Sequence, residues 1–102
     1  MDTVFLELLF DAADCAKAGL GSRDEIEDEL IEKLHASGLG EVTGGGGGQG
    51  FYNIDVEVFK EHQLAEALAV IRLTLVELNV PRGSKIVRYQ PGREEFPIYV
   101  WG

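Results

Sequence analysis

Cysteine and basic side chains are both scarce in this chain. Cys15 is the only cysteine among 102 residues, so no intramolecular disulfide can staple the fold. A small domain that folds without staples points to a reducing compartment. The opening, Met1-Asp2-Thr3-Val4, lacks the basic flank of a secretory signal, and a cytoplasmic protein is the expectation. Long apolar runs are missing too. The greasiest stretch, Leu64 to Leu78, is interrupted by Glu66, Arg72 and Glu77, so no bilayer-spanning segment is expected. Nine Lys and Arg stand against 18 Asp and Glu, a net charge of −9. Such a surface repels polyphosphate and anionic lipid. Nucleic acid and membranes are therefore not expected partners, whereas basic proteins are.

What is present suits one globular domain spanning residues 1–102, with an apolar fraction of 45%. Val4, Leu6, Leu8 and Phe10 alternate with Phe5, Glu7 and Leu9, which suits a central strand. A helical reading competes, because Phe5, Leu8, Leu9 and Ala12 also fall at helical spacing and Ala12 to Ala18 is rich in helix formers. The strand is favoured because the later strands need a central partner. Asp11 to Gly21 then connects it to the first long helix. That helix opens at Ser22-Arg23-Asp24-Glu25, a capping box in which Ser22 accepts from the third amide and Glu25 bonds back. Ile26, Leu30, Ile31 and Leu34 form its expected buried stripe, and Gly38 supplies the left-handed stop.

Beyond it, Glu41-Val42-Thr43 and Phe51 to Phe59 read as two strands of a hairpin, joined by a mobile glycine-rich loop over residues 44–50. In the second strand Tyr52, Ile54, Val56 and Val58 point one way, and Asn53, Asp55 and Glu57 the other. The next helix covers about His62 to Leu78, with Leu64, Leu68, Ile71, Leu75 and Leu78 as its core stripe and Asn79 as its cap. Ala69, Val70, Leu73 and Val76 give it a second apolar side. Lys85 to Tyr89 reads as a strand, Gln90-Pro91-Gly92-Arg93 as a type II turn, and Phe96 to Trp101 as a last edge strand. The simplest packing is α+β: a ferredoxin-like split βαβ sandwich, βαββαβ plus a short C-terminal edge strand, with two helices on one face of an antiparallel sheet. Right-handed crossovers place the first and third strands inside that sheet.

Three segments carry a resemblance: Gly38-Leu39-Gly40-Glu41-Val42-Thr43-Gly44-Gly45-Gly46, Asn53-Ile54-Asp55-Val56-Glu57 and Val80-Pro81-Arg82-Gly83-Ser84. With them the chain resembles a group of small bacterial proteins that share a ferredoxin-like arrangement, an acidic first helix and a glycine-rich hairpin. The likeness covers roughly Val4 to Tyr89. It implies a bacterial cytosolic protein and brings no catalytic residues with it. Related small acidic domains include toxin-neutralising immunity proteins, whose defining motif is not matched here.

Reactive constellations are sparse. The glycine run offers amides to an anion, but no Lys or Arg occurs between Leu34 and Phe59 to neutralise a phosphate. Gly47-Gly48-Gln49 matches the tripeptide with which release factors hydrolyse peptidyl-tRNA, in surroundings of the wrong charge for RNA. Glu7, Asp55 and Glu57 share the open sheet face and form a candidate acid–base or divalent-cation set, alongside Phe5, Leu9, Phe51 and Phe59 of the same parity. Stacking of bases on those aromatics needs a basic surround that is missing. His35, His62 and Cys15 lie too far apart in sequence for a zinc-ligand spacing. The first long helix carries Asp24, Glu25, Glu27, Asp28, Glu29 and Glu32, a solvated face or a dock for a basic protein.

The expectation is a non-enzymatic, cofactor-free, acidic protein-binding domain, an inhibitor or immunity-type protein for a basic partner. Its candidate contact residues are Asp24, Glu27, Asp28, Glu32, Asp55 and Glu57. The alternative is a small-ligand regulatory domain that forms a homodimer through its second helix or its edge strand.

Overall fold

Alternation and helix propensity divide the start of the chain between them. In the computed structural model, which describes residues 3–99, Val4–Asp11 is a strand (β1). It buries Val4, Leu6, Leu8 and Phe10 and leaves Phe5 62% exposed. The competing helix begins only at Ala12. Asp11 sits at the junction, and its carboxylate accepts from the Asp14 amide at 2.9 Å to cap α1, Ala12–Lys17. Gly19, at φ +88°, closes α1, and the Leu20 amide donates to the Cys15 carbonyl at 2.9 Å.

The first long helix, α2, spans Arg23–Ser37 and ends on Gly38 at φ +70° as expected. Its start differs from a capping box. The Ser22 side chain makes no cap hydrogen bond, and the Glu25 carboxylate reaches past Ser22 to accept from the Gly21 amide at 3.0 Å. Its stripe is also narrower than expected. Ile26, Leu30 and Leu34 are fully buried, but Ile31 is 47% exposed. Ile31 lies about 60° around the helix from Leu34, on a flank that opens onto a cavity shared with Val42 and Phe59.

The largest departure from expectation is the glycine run, which is strand and not loop. Strand β2 extends over Gly40–Gly48 and β3 over Phe51–Val58, paired antiparallel from Gly40 opposite Val58 to Gly48 opposite Phe51, with a bulge between Val42 and Gly44. The turn is only Gln49-Gly50, both at positive φ (53° and 85°), the backbone signs of a type I′ hairpin. The Ala12 amide donates to the Gly50 carbonyl at 2.8 Å, which ties the hairpin tip to the start of α1. Two of the glycines are sterically required. A Cβ on Gly45 would sit 2.6 Å from the Asn53 carbonyl oxygen, and one on Gly40 would collide with the Glu57 carbonyl oxygen.

A 3₁₀ turn at Glu61–Gln63 leads into α3, Leu64–Glu77, which buries Leu68, Ile71 and Leu75. Asn79 ends it at φ +59°, with the Val80 amide donating to the Leu75 carbonyl at 3.2 Å. Strands β4, Lys85–Arg88, and β5, Glu94–Phe96, complete the described part. Gly92 does not take positive φ, so the expected type II turn does not form. The last strand precedes Pro97 instead of following Phe96, because proline supplies no amide to a ladder. Its expected end at Val100 and Trp101 lies outside the described residues.

Among the described residues the sheet is five-stranded and antiparallel throughout, in the order β2-β3-β1-β4-β5. One face, carrying Leu6, Leu8, Phe10, Ile54, Val56 and Ile86, forms a single apolar core with Ile26, Leu30 and Leu34 of α2 and Leu68, Ile71 and Leu75 of α3. No helix among the described residues is long and apolar enough to cross a membrane.

Candidate docking surfaces

The residues singled out in the sequence divide between two surfaces. Asp55 and Glu57 alternate with the buried Ile54, Val56 and Val58, so they stand on the sheet face away from the helices. Glu7 is directly opposite Asp55, while Glu57 lies between Phe5 and Glu41. Like charges facing each other across a ladder repel, and here neighbouring donors offset part of that repulsion. The Tyr89 hydroxyl donates to Glu7 Oε1 at 2.7 Å, and Asn53 Nδ2 donates to Asp55 Oδ1 at 3.4 Å. The accepting Glu7 carboxylate holds the Tyr89 proton and raises its pKa above the ordinary value, with desolvation adding to the effect. Among the described residues, no group of three or more His, Cys, Asp or Glu is placed to hold a metal ion. The three carboxylates thus share a face without forming a compact ligand set.

Farther across the same face, Glu95 belongs to a local ion cluster. Arg93 Nη1 lies 2.7 Å from Glu95 Oε2 and Lys85 Nζ lies 4.0 Å from it. The Arg93 hydrogen bond, then Lys85, lowers the Glu95 pKa. Phe59 does not join the open face as its parity suggested. It lies just beyond β3 and lines a cavity on the helix side.

Asp24, Glu27, Asp28 and Glu32 belong to α2, in the layer on the opposite side of the sheet. The candidate contact residues are therefore two patches and not one. Helix α2 runs along β2 in the opposite sense. Near its C-terminal end Ile31, Leu34 and His35 meet Gly40, Val42 and Phe59 around a cavity of about 540 Å³. Near its N-terminal end Arg23 Nη1 comes within 3.5 Å of the position a Cβ on Gly45 would take. Arg23 is held over the strand by Glu27 Oε2 at 3.8 Å and Asp24 Oδ1 at 4.0 Å. Both distances are too long for hydrogen bonds, and Arg23 Nε is buried with no hydrogen-bond partner.

Charge is segregated along this architecture. Between Arg23 and Glu57 there are nine carboxylates against Arg23 and Lys33, so α2, β2 and β3 carry seven of the nine net negative charges. Six of the nine basic residues fall from Lys60 onward. The β2 side of the molecule is an acidic pole, and the β4–β5 side is mixed.

The reactive candidates are dispersed. Cys15 is fully buried, and burial, followed by the nearby carboxylates of Asp11 and Asp14, raises its thiol pKa. His35 is exposed at the end of α2 and His62 in the 3₁₀ turn. Gln49 occupies the hairpin turn. The residues that sequence reasoning missed are Ile31, Val42 and Phe59. Their only signal was Ile31 lying off the line of Ile26, Leu30 and Leu34.

Comparison of the chain with protein-family models, curated proteins and solved structures finds no match.

Proposed function

We propose that this domain is a non-enzymatic acidic binding protein of the cytoplasm that docks a basic protein, in the manner of an inhibitor or immunity protein. The observation that carries the proposal is the segregation of charge: seven of nine net negative charges lie on α2, β2 and β3. The opposed field of a basic partner speeds encounter and sets orientation more than it adds affinity. The proposal includes a ferredoxin-like scaffold. The βαββαβ succession and the order β2-β3-β1-β4 support that reading, with β5 added at the β4 edge and α1 as an extra turn.

The test is affinity purification from the source organism, followed by calorimetry at increasing salt. A partner of high pI is expected, with affinity falling steeply as salt screens the contact. Reversing Asp24 and Asp28 to Lys separates the α2 patch from the Asp55–Glu57 patch, which the same substitution in β3 probes. A neutral partner held equally well in high salt refutes the proposal.

A dimeric ligand-binding domain is the second reading, favoured by one feature of α3. Leu73 is 60% exposed beside a groove of about 440 Å³ that Lys33, Ala36, Val70 and Thr74 also line. Light scattering that shows a monomer at high concentration removes it.

A further inference from the structure

The two edges of the sheet are built differently. β5 has three residues, Glu94 and Glu95 are exposed on it, and Pro97 follows it directly. Short length, charge and proline are the usual means of keeping an edge from pairing with another chain. β2 carries one exposed charge, Glu41, near its start and a bulge at Thr43, and is otherwise unprotected. It is nine residues long, contains no Lys or Pro, and five of its residues are the consecutive glycines Gly44–Gly48. Among the described residues only β3 pairs with it, so its outer row of amides and carbonyls has no partner there in the sheet. Glycine leaves that row unscreened by side chains and lets another backbone approach closely.

The walls of the groove beside this edge differ along its length. At the Gly40–Val42 end the lining is apolar, from Ile31, Val42 and Phe59. Toward Gly45 the overlooking residue of α2 is Arg23, already engaged by Asp24 and Glu27, whereas on the open face Glu41 is exposed opposite Glu57 and Asp55 Oδ2 lies 3.6 Å from the position a Cβ on Gly44 would take. We infer that the β2 edge is a strand-addition site: it takes an extended segment of a partner protein with an apolar residue at one end and Lys or Arg at alternate positions along the rest. Main-chain hydrogen bonds to β2 supply the affinity; the apolar wall on the α2 side and the carboxylates of Glu41 and Asp55 on the open face supply the selection. Alternation follows from the strand itself, since every second side chain of the added segment faces the open side, toward Glu41 and Asp55. A second copy of this chain is disfavoured as the occupant, because β2-to-β2 pairing brings two acidic poles together. The inference rests on the acidic-docking reading for the chemistry of its partner, and on the bare edge for its geometry.

The experiment selects peptides from a randomised heptapeptide display library on the intact chain, then titrates the enriched peptides into labelled protein by NMR. The expected peptides alternate Lys or Arg with other residues and carry an apolar end. Cross-strand contacts and slowed amide exchange are expected within Gly40–Gly48, with shifts at Ile31 and Phe59. Ile31→Glu, at an exposed position that the fold does not need, weakens binding by more than about tenfold. Asp55→Asn weakens it about threefold at low salt. Basic peptides that perturb α2 carboxylates without protecting β2 overturn the strand-addition site and leave acidic docking intact. Peptides that pair with β2 but lack basic residues, or that bind equally well in high salt, overturn the basic-partner chemistry and keep the edge. Enrichment of nothing, or β2 contacts between copies of the peptide-free protein, overturns the inference.

Discussion

Gly45 and Gly46 are neighbours in the same strand, yet alanine is expected to act in opposite directions at the two positions. At Gly45 the new methyl meets the Asn53 carbonyl oxygen at 2.6 Å, with the Ile54 Cα at 3.4 Å and Arg23 Nη1 at 3.5 Å. The closest of these is backbone of the paired strand, so it cannot rotate aside, and relief requires β2 to move from β3. Overpacking of this kind costs about 1–3 kcal/mol. At Gly46 the nearest atom is Asn53 Oδ1 at 3.5 Å, an ordinary contact with a movable side chain. Neither glycine takes positive φ, so alanine is free to adopt the backbone at both sites. Reduced freedom of the unfolded chain then favours Gly46→Ala by about 0.4–1 kcal/mol. The two variants should differ by roughly 2–3 kcal/mol, or about 10 °C or more in Tm for a domain of this size. Urea and thermal unfolding followed by circular dichroism measure both. If the glycine run were a loop, both substitutions would be nearly neutral or both stabilising. Equal stabilities would refute the strand assignment and remove the basis for an edge site.

Tyr89 supplies a pH test. Its folded pKa is raised by the Glu7 hydrogen bond, so the folded state holds that proton more tightly than the unfolded state. The resulting stability is fully present below the unfolded value near 10 and is lost as pH rises through the folded value. Stability measured through that alkaline range should decline less in Tyr89→Phe than in the wild type, and an unchanged profile would dismiss the contact. Cys15, buried and with a raised thiol pKa, should react with a thiol reagent only as the protein unfolds. The modification rate should therefore track denaturant, and rapid labelling of the native protein would contradict its burial.

Local chemistry was legible in the residues themselves. Strict alternation marked β1 and β3 because one sheet face must be apolar, and the step of four and three residues marked the core of α3. Gly38 and Asn79 ended their helices because glycine, lacking a Cβ, and asparagine, with its short polar side chain, tolerate positive φ. The acidic character of α2 was equally plain, since charge depends on composition alone. Three things depended on tertiary packing. Glycine has no side-chain pattern and poor strand propensity, so only pairing with β3 made Gly44–Gly48 a strand. Ile31 has the right residue type for the core, and only the open cavity between that flank of α2 and β2 left it exposed. Finally, Asp55 and Glu57 were separated from Asp24 and Asp28 by the thickness of the sheet. Charges that sum together in a sequence act on different partners once a core lies between them.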